Sequence, residues 1–374
     1  MREILPALER WYAARVPFGL ATVVAVGGSA PRGPGAAMAV GPDGEVVGSV
    51  SGGCVEGAVF ELAREVAASG EARLESFGYS DEDAFTVGLT CGGEITLLVR
   101  PVTPATEPAF GAVAGSVGAG EPVTVATVVD GPAPRGATLA VWPDTAADAP
   151  GTRGTLGTNG LDVAVAADAR GELALGATVL RHYGPHGERR EDDVTVFLQS
   201  FAPPPRMLVF GAIDYAAAVA RIGDFLGYRV TVCDARPVFA TPRRFPAGVE
   251  VVVDWPHRYL RGVGTDERTV ICVLTHDPRF DVPLLEEALR RPAAYIGAMG
   301  SRRTHDERRD RLAEAGLTEA ELSRLRSPLG LDLGARTPEE VAVSVAAEIV
   351  ALRWHGSGVP LTATTGAIHA PAAR

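Results

Sequence analysis

Cys54 carries the most versatile side chain in the run Ser49-Val50-Ser51-Gly52-Gly53-Cys54-Val55-Glu56-Gly57. Upstream, residues 45–50 read as a short strand. Downstream, Val55, Ala58, Val59, Leu62, Ala63 and Val66 recur at helical spacing, so the thiol is predicted at the start of an amphipathic helix. Unpaired N–H groups and the positive dipole end favour a thiolate there, while Glu56 in the same turn opposes it. Two readings compete, a ligand-binding or reactive thiol and a small apolar residue packed at a tight turn. Gly52 and Gly53 tilt the choice towards function, because glycines let backbone approach a ligand closely. A second thiol, Cys91, precedes Gly92-Gly93. Two glycine-flanked cysteines raise the odds of a shared site. Arg32, in Gly27-Gly28-Ser29-Ala30-Pro31-Arg32-Gly33, offers a guanidinium and backbone donors to an anion. A plain turn explains the same residues.

A second group of candidates lies in the C-terminal half. The apolar strand 207–210 runs into Gly211-Ala212-Ile213-Asp214-Tyr215-Ala216. Of the Gly-x-Gly-x-x-Gly pattern only the first glycine, Gly211, is present; Ile213 stands where backbone must approach a pyrophosphate, and Asp214 would repel it. Asp234 closes the next strand, where a ribose-binding acid is expected. Leu274-Thr275-His276-Asp277 ends a further strand at the carboxyl edge, where ligands bind, making His276 and Asp277 candidates for cofactor contact and for an acid/base pair or, as the weaker option, a metal site. Gly297, Gly300, Ser301 and Arg302 lie where a strand passes through glycines into an arginine-bearing helix. That is either an anion cradle or a glycine turn before a solvated helix face, neutralised by Asp306, Glu307 and Asp310. No histidine or cysteine cluster has metal-ligand spacing, so no metal site is predicted.

The elements that must position these residues fall into two blocks. Residues 6–14 read as a leading helix. Over 121–200 short strands (123–129, 138–142, 162–166, 177–182, 194–199) suggest antiparallel β structure without catalytic residues. Phe201-Ala202-Pro203-Pro204-Pro205-Arg206 is a stiff proline linker. Beyond it, continuous apolar strands alternate with helices, predicting a Rossmann-like parallel sheet. Thr337-Pro338-Glu339-Glu340 is a capping box that starts a long apolar helix. The expected fold class is therefore α/β, with a β-rich mixed N-terminal domain followed by a doubly wound C-terminal one. The expected domains are 1–200 (motif core 18–100, β-rich extension 101–200) and 206–354, joined by 201–205 and trailed by a tail, 355–374.

The chain of 374 residues has a formal net charge of −11 with no block of like charge, which argues against nucleic acid or an anionic membrane as partner. All 35 basic residues are arginine, which excludes Schiff-base and P-loop lysines. With scattered cysteines, no signal peptide and no apolar span, a reducing cytoplasm is the expected location.

Taken together, Gly28-Ser29-Ala30-Pro31-Arg32, Ser51-Gly52-Gly53-Cys54-Val55-Glu56-Gly57, Gly88-Leu89-Thr90-Cys91-Gly92-Gly93, Leu274-Thr275-His276-Asp277, Tyr295-Ile296-Gly297-Ala298-Met299-Gly300-Ser301-Arg302 and Pro328-Leu329-Gly330-Leu331-Asp332-Leu333-Gly334-Ala335 resemble the XdhC/CoxI family of accessory proteins that mature molybdenum hydroxylases. The resemblance spans both blocks and leaves the β-rich middle unmatched. It implies a protein that binds molybdenum cofactor (molybdopterin) and passes its sulfurated form to a target apoenzyme, a chaperone more than a turnover enzyme. It implies as partners a molybdenum hydroxylase large subunit of the xanthine dehydrogenase or carbon monoxide dehydrogenase type, and a cysteine desulfurase; a homodimer is a further candidate assembly. Cys54 and Cys91 then become candidates for contacting molybdenum or its sulfur, and Arg32 and Gly300-Ser301-Arg302 for the pterin phosphate or an appended nucleotide. Many relatives have Gly-Ala-Gly-His where this chain has Gly211-Ala212-Ile213-Asp214, which sets it apart at the nucleotide turn. The competing expectation is an NAD(P)-dependent oxidoreductase with His276 as acid/base.

Overall fold

A computed structural model describes residues 1–28, 30–78, 93–143 and 151–365. The chain divides into two compact units, the first running to Pro203 and the second comprising Pro204–Thr364.

The first unit is built from two copies of one motif. The first copy runs α1 (Leu5–Ala13), β1 (Phe18–Gly27), β2 (Ala37–Val40), β3 (Val46–Gly48), α2 (Glu56–Ser69), β4 (Arg73–Phe77) and β5 (Glu94–Val102). The second runs α3 (Phe110–Ala119), β6 (Val123–Asp130), β7 (Thr138–Val141), β8 (Thr152–Gly154), α4 (Asn159–Leu175), β9 (Thr178–Tyr183) and β10 (Val194–Phe201). The antiparallel sheets have orders β3-β2-β1-β5-β4 and β8-β7-β6-β10-β9, which are the same order. The correspondence holds at single residues. Val23 and Val128 each exchange backbone hydrogen bonds with the end of their first hairpin, at Gly35 and Ala36 and at Gly136 and Ala137. Ser49 N–H donates to Ala37 and Thr155 N–H to the equivalent Thr138.

The two sheets meet reciprocally. Val24 and Leu98 from the first pack with Val129 and Phe197 from the second, flanked by Leu74 and Leu180. Gly35 seats on Thr178 and Gln199, where a Cβ would fall 2.9 Å from Gln199 Nε2; Gly136 seats on the equivalent Ala72 and Arg100, 2.9 Å from Ala72 Cβ. The amide of Gln199 donates to Gly35 O at 3.0 Å. Arg100 forms a buried ion pair with Glu107, which also accepts from Thr138 Oγ1 at 3.0 Å. Burial pushes the Arg100 guanidinium down to about 10.

The predicted strand 162–166 is instead part of α4. Val163 and Val165 alternate with small residues as a strand would, but Thr158 caps a helix by accepting from Leu161 N–H. Leu161, Val165, Ala169 and Leu173 bury the resulting face. Helix α3, placed in no predicted element, packs Ala114 and Val117 with Leu8 and Trp11 of α1.

In the second unit β11 (Arg206–Phe210), α5 (Asp214–Phe225), β12 (Arg229–Asp234), β13 (Glu250–Val253), α6 (Pro256–Gly262), β14 (Val270–Val273), α7 (Pro278–Ala288), β15 (Tyr295–Ala298), α8 (Arg302–Glu314), α9 (Glu319–Leu322), β16 (Leu325–Arg326) and α10 (Pro338–Trp354) follow in order. The strands form one parallel sheet, β13-β12-β11-β14-β15-β16, so the order reverses between β11 and β14, as expected of a doubly wound domain. Buried residues of α5 and α10 cover one face, and Leu284, Leu285 and Leu312 from α7 and α8 cover the other. The capping box at Thr337 and Glu340 starts α10. No helix among the described residues is long and apolar enough to cross a membrane.

Candidate functional site

In the first unit the loop from β3 to α2 presents Cys54. Gly52 and Gly53 take φ of 78° and 124°, in the left-handed region that favours glycine, and so keep the segment out of the helix. Both glycines are exposed, and Cys54 is half-buried, packed against the Val23, Val50, Val55 and Val59 cluster that Ala30, at the base of the Arg32 turn, also joins. Arg32 itself is exposed. Cys91 and Gly92 lie outside the described residues.

The loop's donors converge on Glu56. Its Oε1 accepts from Ser49 Oγ (2.7 Å) and from the N–H groups of Val50, Ser51 and Gly52 (3.2, 2.9 and 3.0 Å). Its Oε2 accepts from Ser51 Oγ (2.5 Å) and from Gly53 and Val55 N–H (2.8 and 3.2 Å). Cys54 N–H donates to Ser51 Oγ at 3.0 Å. Partial burial would raise the Glu56 carboxyl, but the donors of Ser51 and Ser49 hold it far below the usual carboxylate range. This corrects the reading of Glu56 as a mere electrostatic counterweight. The N–H groups of the loop that leads into the helix are satisfied by a carboxylate of the chain itself. Sequence spacing places Glu56 two residues from the thiol, but only the folded loop brings its carboxylate back over Gly52 and Gly53.

In the second unit the carboxyl edge gathers the remaining candidates. Gly211 has φ 106° and seats against Leu274 and Thr275, so it serves close packing between β11 and β14. Asp234 is buried and already engaged: it accepts from Ala212 N–H at 2.9 Å, from Arg236 N–H and Nε at 2.9 Å, and from Arg236 Nη2 at 2.8 Å. Burial opposes its ionisation, yet those bonds hold its carboxyl below the ordinary value. The spacing that suggests a ribose acid thus also suits a residue that clamps the Gly211 turn. Asp214 pairs with Arg244 at 3.0 Å. His276 is exposed. Asp277 caps α7 through Arg279 N–H, and the Arg279 guanidinium holds its carboxyl down at about 2.

Gly297 lies in β15 beneath the Tyr295 ring, which occupies the space a side chain would need; its role is packing. Gly300 has φ 154°, and Ser301 caps α8 by accepting from Thr304 N–H at 3.1 Å, leaving Arg302 exposed on the first turn. Sequence reading passes over the pair that braces these loops. Arg308, 3% exposed, donates to Asp281 Oδ2 at 3.0 Å, to Met299 O at 2.9 Å and to Ser327 Oγ at 3.1 Å; Asp281 also accepts from Thr275 Oγ1. Burial pushes the Asp281 carboxyl up, against the pull of Thr275 and Arg308. Nothing in its type separates Arg308 from the other arginines of α8; only its burial in the fold, one turn before the buried Leu312, does so. Cys233 and Cys272 are buried in strands, and burial pushes each thiol up to about 12, so neither offers a thiolate. Among the described residues no group of three or more His, Cys, Asp or Glu is arranged to hold a metal ion.

Comparison with known proteins follows this division. The model of the XdhC and CoxI family matches residues 11–78 and 111–184, one stretch in each copy of the motif, and the model of the XdhC Rossmann domain matches 207–349. The β-rich stretch over 121–200, unmatched on motifs alone, is therefore covered as far as residue 184. Over 340 residues the chain is 27% identical to a probable xanthine dehydrogenase subunit of Bacillus subtilis (strain 168), covering 89% of this chain and 92% of that protein. Over 336 residues it is 29% identical to the molybdenum cofactor insertion chaperone PaoD of Escherichia coli (strain K12), covering 90% and 83%. A crystal structure of a xanthine dehydrogenase from Bacillus halodurans shares the fold, with a TM-score of 0.65 at 24% identity over 93% of this chain and 95% of that one.

Proposed function

The chain belongs to the XdhC and CoxI family, and we propose that it binds molybdenum cofactor as cargo and assists its insertion into a molybdenum hydroxylase of the xanthine dehydrogenase type. The observation that carries this reading is the likeness to the insertion chaperone PaoD, which extends over both units and so includes the Cys54 loop. A half-buried thiol held outside its helix suits a soft metal and its sulfur ligands. Cys91 is the proposed second thiol, and Arg32 and the Gly300-Ser301-Arg302 turn are proposed for phosphate groups of the cargo. Delivery of the sulfurated form, with a cysteine desulfurase as upstream partner and the hydroxylase large subunit downstream, belongs to the same proposal, as does assembly as a homodimer.

Native purification followed by mass spectrometry of the bound pterin tests it. Pterin should accompany the wild-type protein, and Cys54→Ser or Cys91→Ser should weaken its retention. Unchanged affinity in both variants removes the thiol contact, and absence of any pterin binding removes the cargo. The Rossmann-type sheet favours a second reading, an NAD(P)-dependent oxidoreductase with His276 as acid/base. Against it stand Ile213 at the pyrophosphate turn and an Asp234 carboxylate already engaged by Ala212 and Arg236. Saturable binding of NAD(H) or NADP(H) on titration would revive it.

A further inference from the structure

The second copy of the motif contains the Cys54 loop in altered form. Thr155 and Leu156 stand where Ser49 and Val50 stand, Leu161 where Val55 stands, and Asp162 where Glu56 stands. Thr155 Oγ1 donates to Asp162 at 2.7 Å and Leu156 N–H does so at 2.7 Å, just as Ser49 Oγ and Val50 N–H donate to Glu56. A carboxylate on the first helical turn thus anchors the start of both loops.

Beyond that anchor the loops diverge. Helix α4 begins at Asn159, the counterpart of Gly53, capped by Thr158, the counterpart of Gly52. Helix α2 begins only at Glu56. The three residues Gly52-Gly53-Cys54 are therefore unwound in the first copy and mostly wound into the helix in the second. Glutamate is one methylene longer than aspartate. The additional bonds it accepts come from Ser51, Gly52, Gly53 and Val55, the segment that carries the thiol.

We infer that Glu56 is the positioning residue for Cys54: its carboxylate anchors the loop as Asp162 does, and its extra length holds Gly52 and Gly53 unwound so that Cys54 stays outside the helix. The consequence for binding rests on the reading of Cys54 as a cargo contact; the positioning itself does not. A carboxylate that occupies the N–H groups also keeps an anionic group of the cargo out of that nest, so the loop offers sulfur rather than backbone donors.

Glu56→Asp separates anchoring from positioning, because the second copy shows that aspartate anchors this loop. The variant should melt close to the wild-type temperature. Its amide hydrogen exchange should quicken in the peptide spanning Ser51 to Val55 and remain unchanged around Asp162. Affinity for molybdenum cofactor released from a molybdoenzyme should fall by about tenfold, the usual cost of removing a group that orients a metal ligand. Cys54→Ser combined with Glu56→Asp should bind no more weakly than Cys54→Ser alone. Unchanged exchange in the Ser51–Val55 peptide overturns the proposal, as do fully additive losses in the double variant. If Cys54→Ser leaves affinity untouched, the thiol-contact reading falls and exchange alone decides the role of Glu56: faster exchange sustains it, unchanged exchange ends it.

Discussion

The two copies of the motif in the N-terminal unit share a sheet order, a reciprocal seat and a first-turn carboxylate, yet they end in different loops. In the second, the space above Gly160, the counterpart of Cys54, is filled: a Cβ there would fall against the carbonyl oxygen of His186, and Thr158 Oγ1 donates to Pro185 O at 3.0 Å. In the first, no described residue lies within 4 Å of a Cβ added at Gly52 or Gly53. One scaffold thus supports a loop left outside its helix and a loop wound into it. The difference lies in a few residues whose backbone conformation and carboxylate reach decide whether the helix starts early or late.

Four measurements would break or sharpen that comparison. Leu98 and Phe197 occupy equivalent places in the shared core, so Leu98→Ala and Phe197→Ala should each cost about 3 kcal/mol in denaturant unfolding. A large cost at one and none at the other would mean that the two seats are not equivalent. Gly160→Cys should cost about 2 kcal/mol through overpacking against His186 O and should add no cofactor affinity. A stable variant that binds more pterin would show that the second loop is merely missing its thiol. Glu56→Ala should destabilise by about 2 kcal/mol and Asp162→Ala by about 1 kcal/mol, because the first leaves more loop donors unpaired. Equal costs would contradict the longer reach of Glu56. The smallest effect is in pH dependence. The folded Glu56 carboxyl titrates below its ordinary value of 4.5, so its contribution is complete above that value and is lost as pH falls below it towards the folded value. A Glu56→Gln chain should lack this part of the acid decline in melting temperature.

Much of this architecture can be read from local pattern. The 3.6-residue recurrence from Val55 to Val66 marks α2, the apolar run at 207–210 marks β11, and the capping box marks α10. The duplication is not legible, although Ala30-Pro31-Arg32-Gly33 and Ala133-Pro134-Arg135-Gly136 are identical tetrapeptides. The first hairpin is longer, so the tetrapeptides fall out of structural register and Gly35, not Gly33, matches Gly136. Helix α4 hides because Val163 and Val165 also fit strand alternation. At the candidate site, Cys54 and its glycines announce themselves by type. Glu56, Arg236 and Arg308 do not, since each acts through partners that only the folded chain supplies.

The reciprocal seat has a consequence for how the N-terminal unit holds together. Val24, Leu74 and Leu98 of the first copy are covered by residues of the second, so neither half buries its own inner face alone. The polypeptide between Val102 and Val123 tethers the halves, turning what would be a concentration-dependent encounter into an intramolecular one at an effective concentration of millimolar order. Because the pairing no longer depends on protein abundance and the halves are free to differ in sequence, one loop can stay unwound before Cys54 while the other serves as ballast.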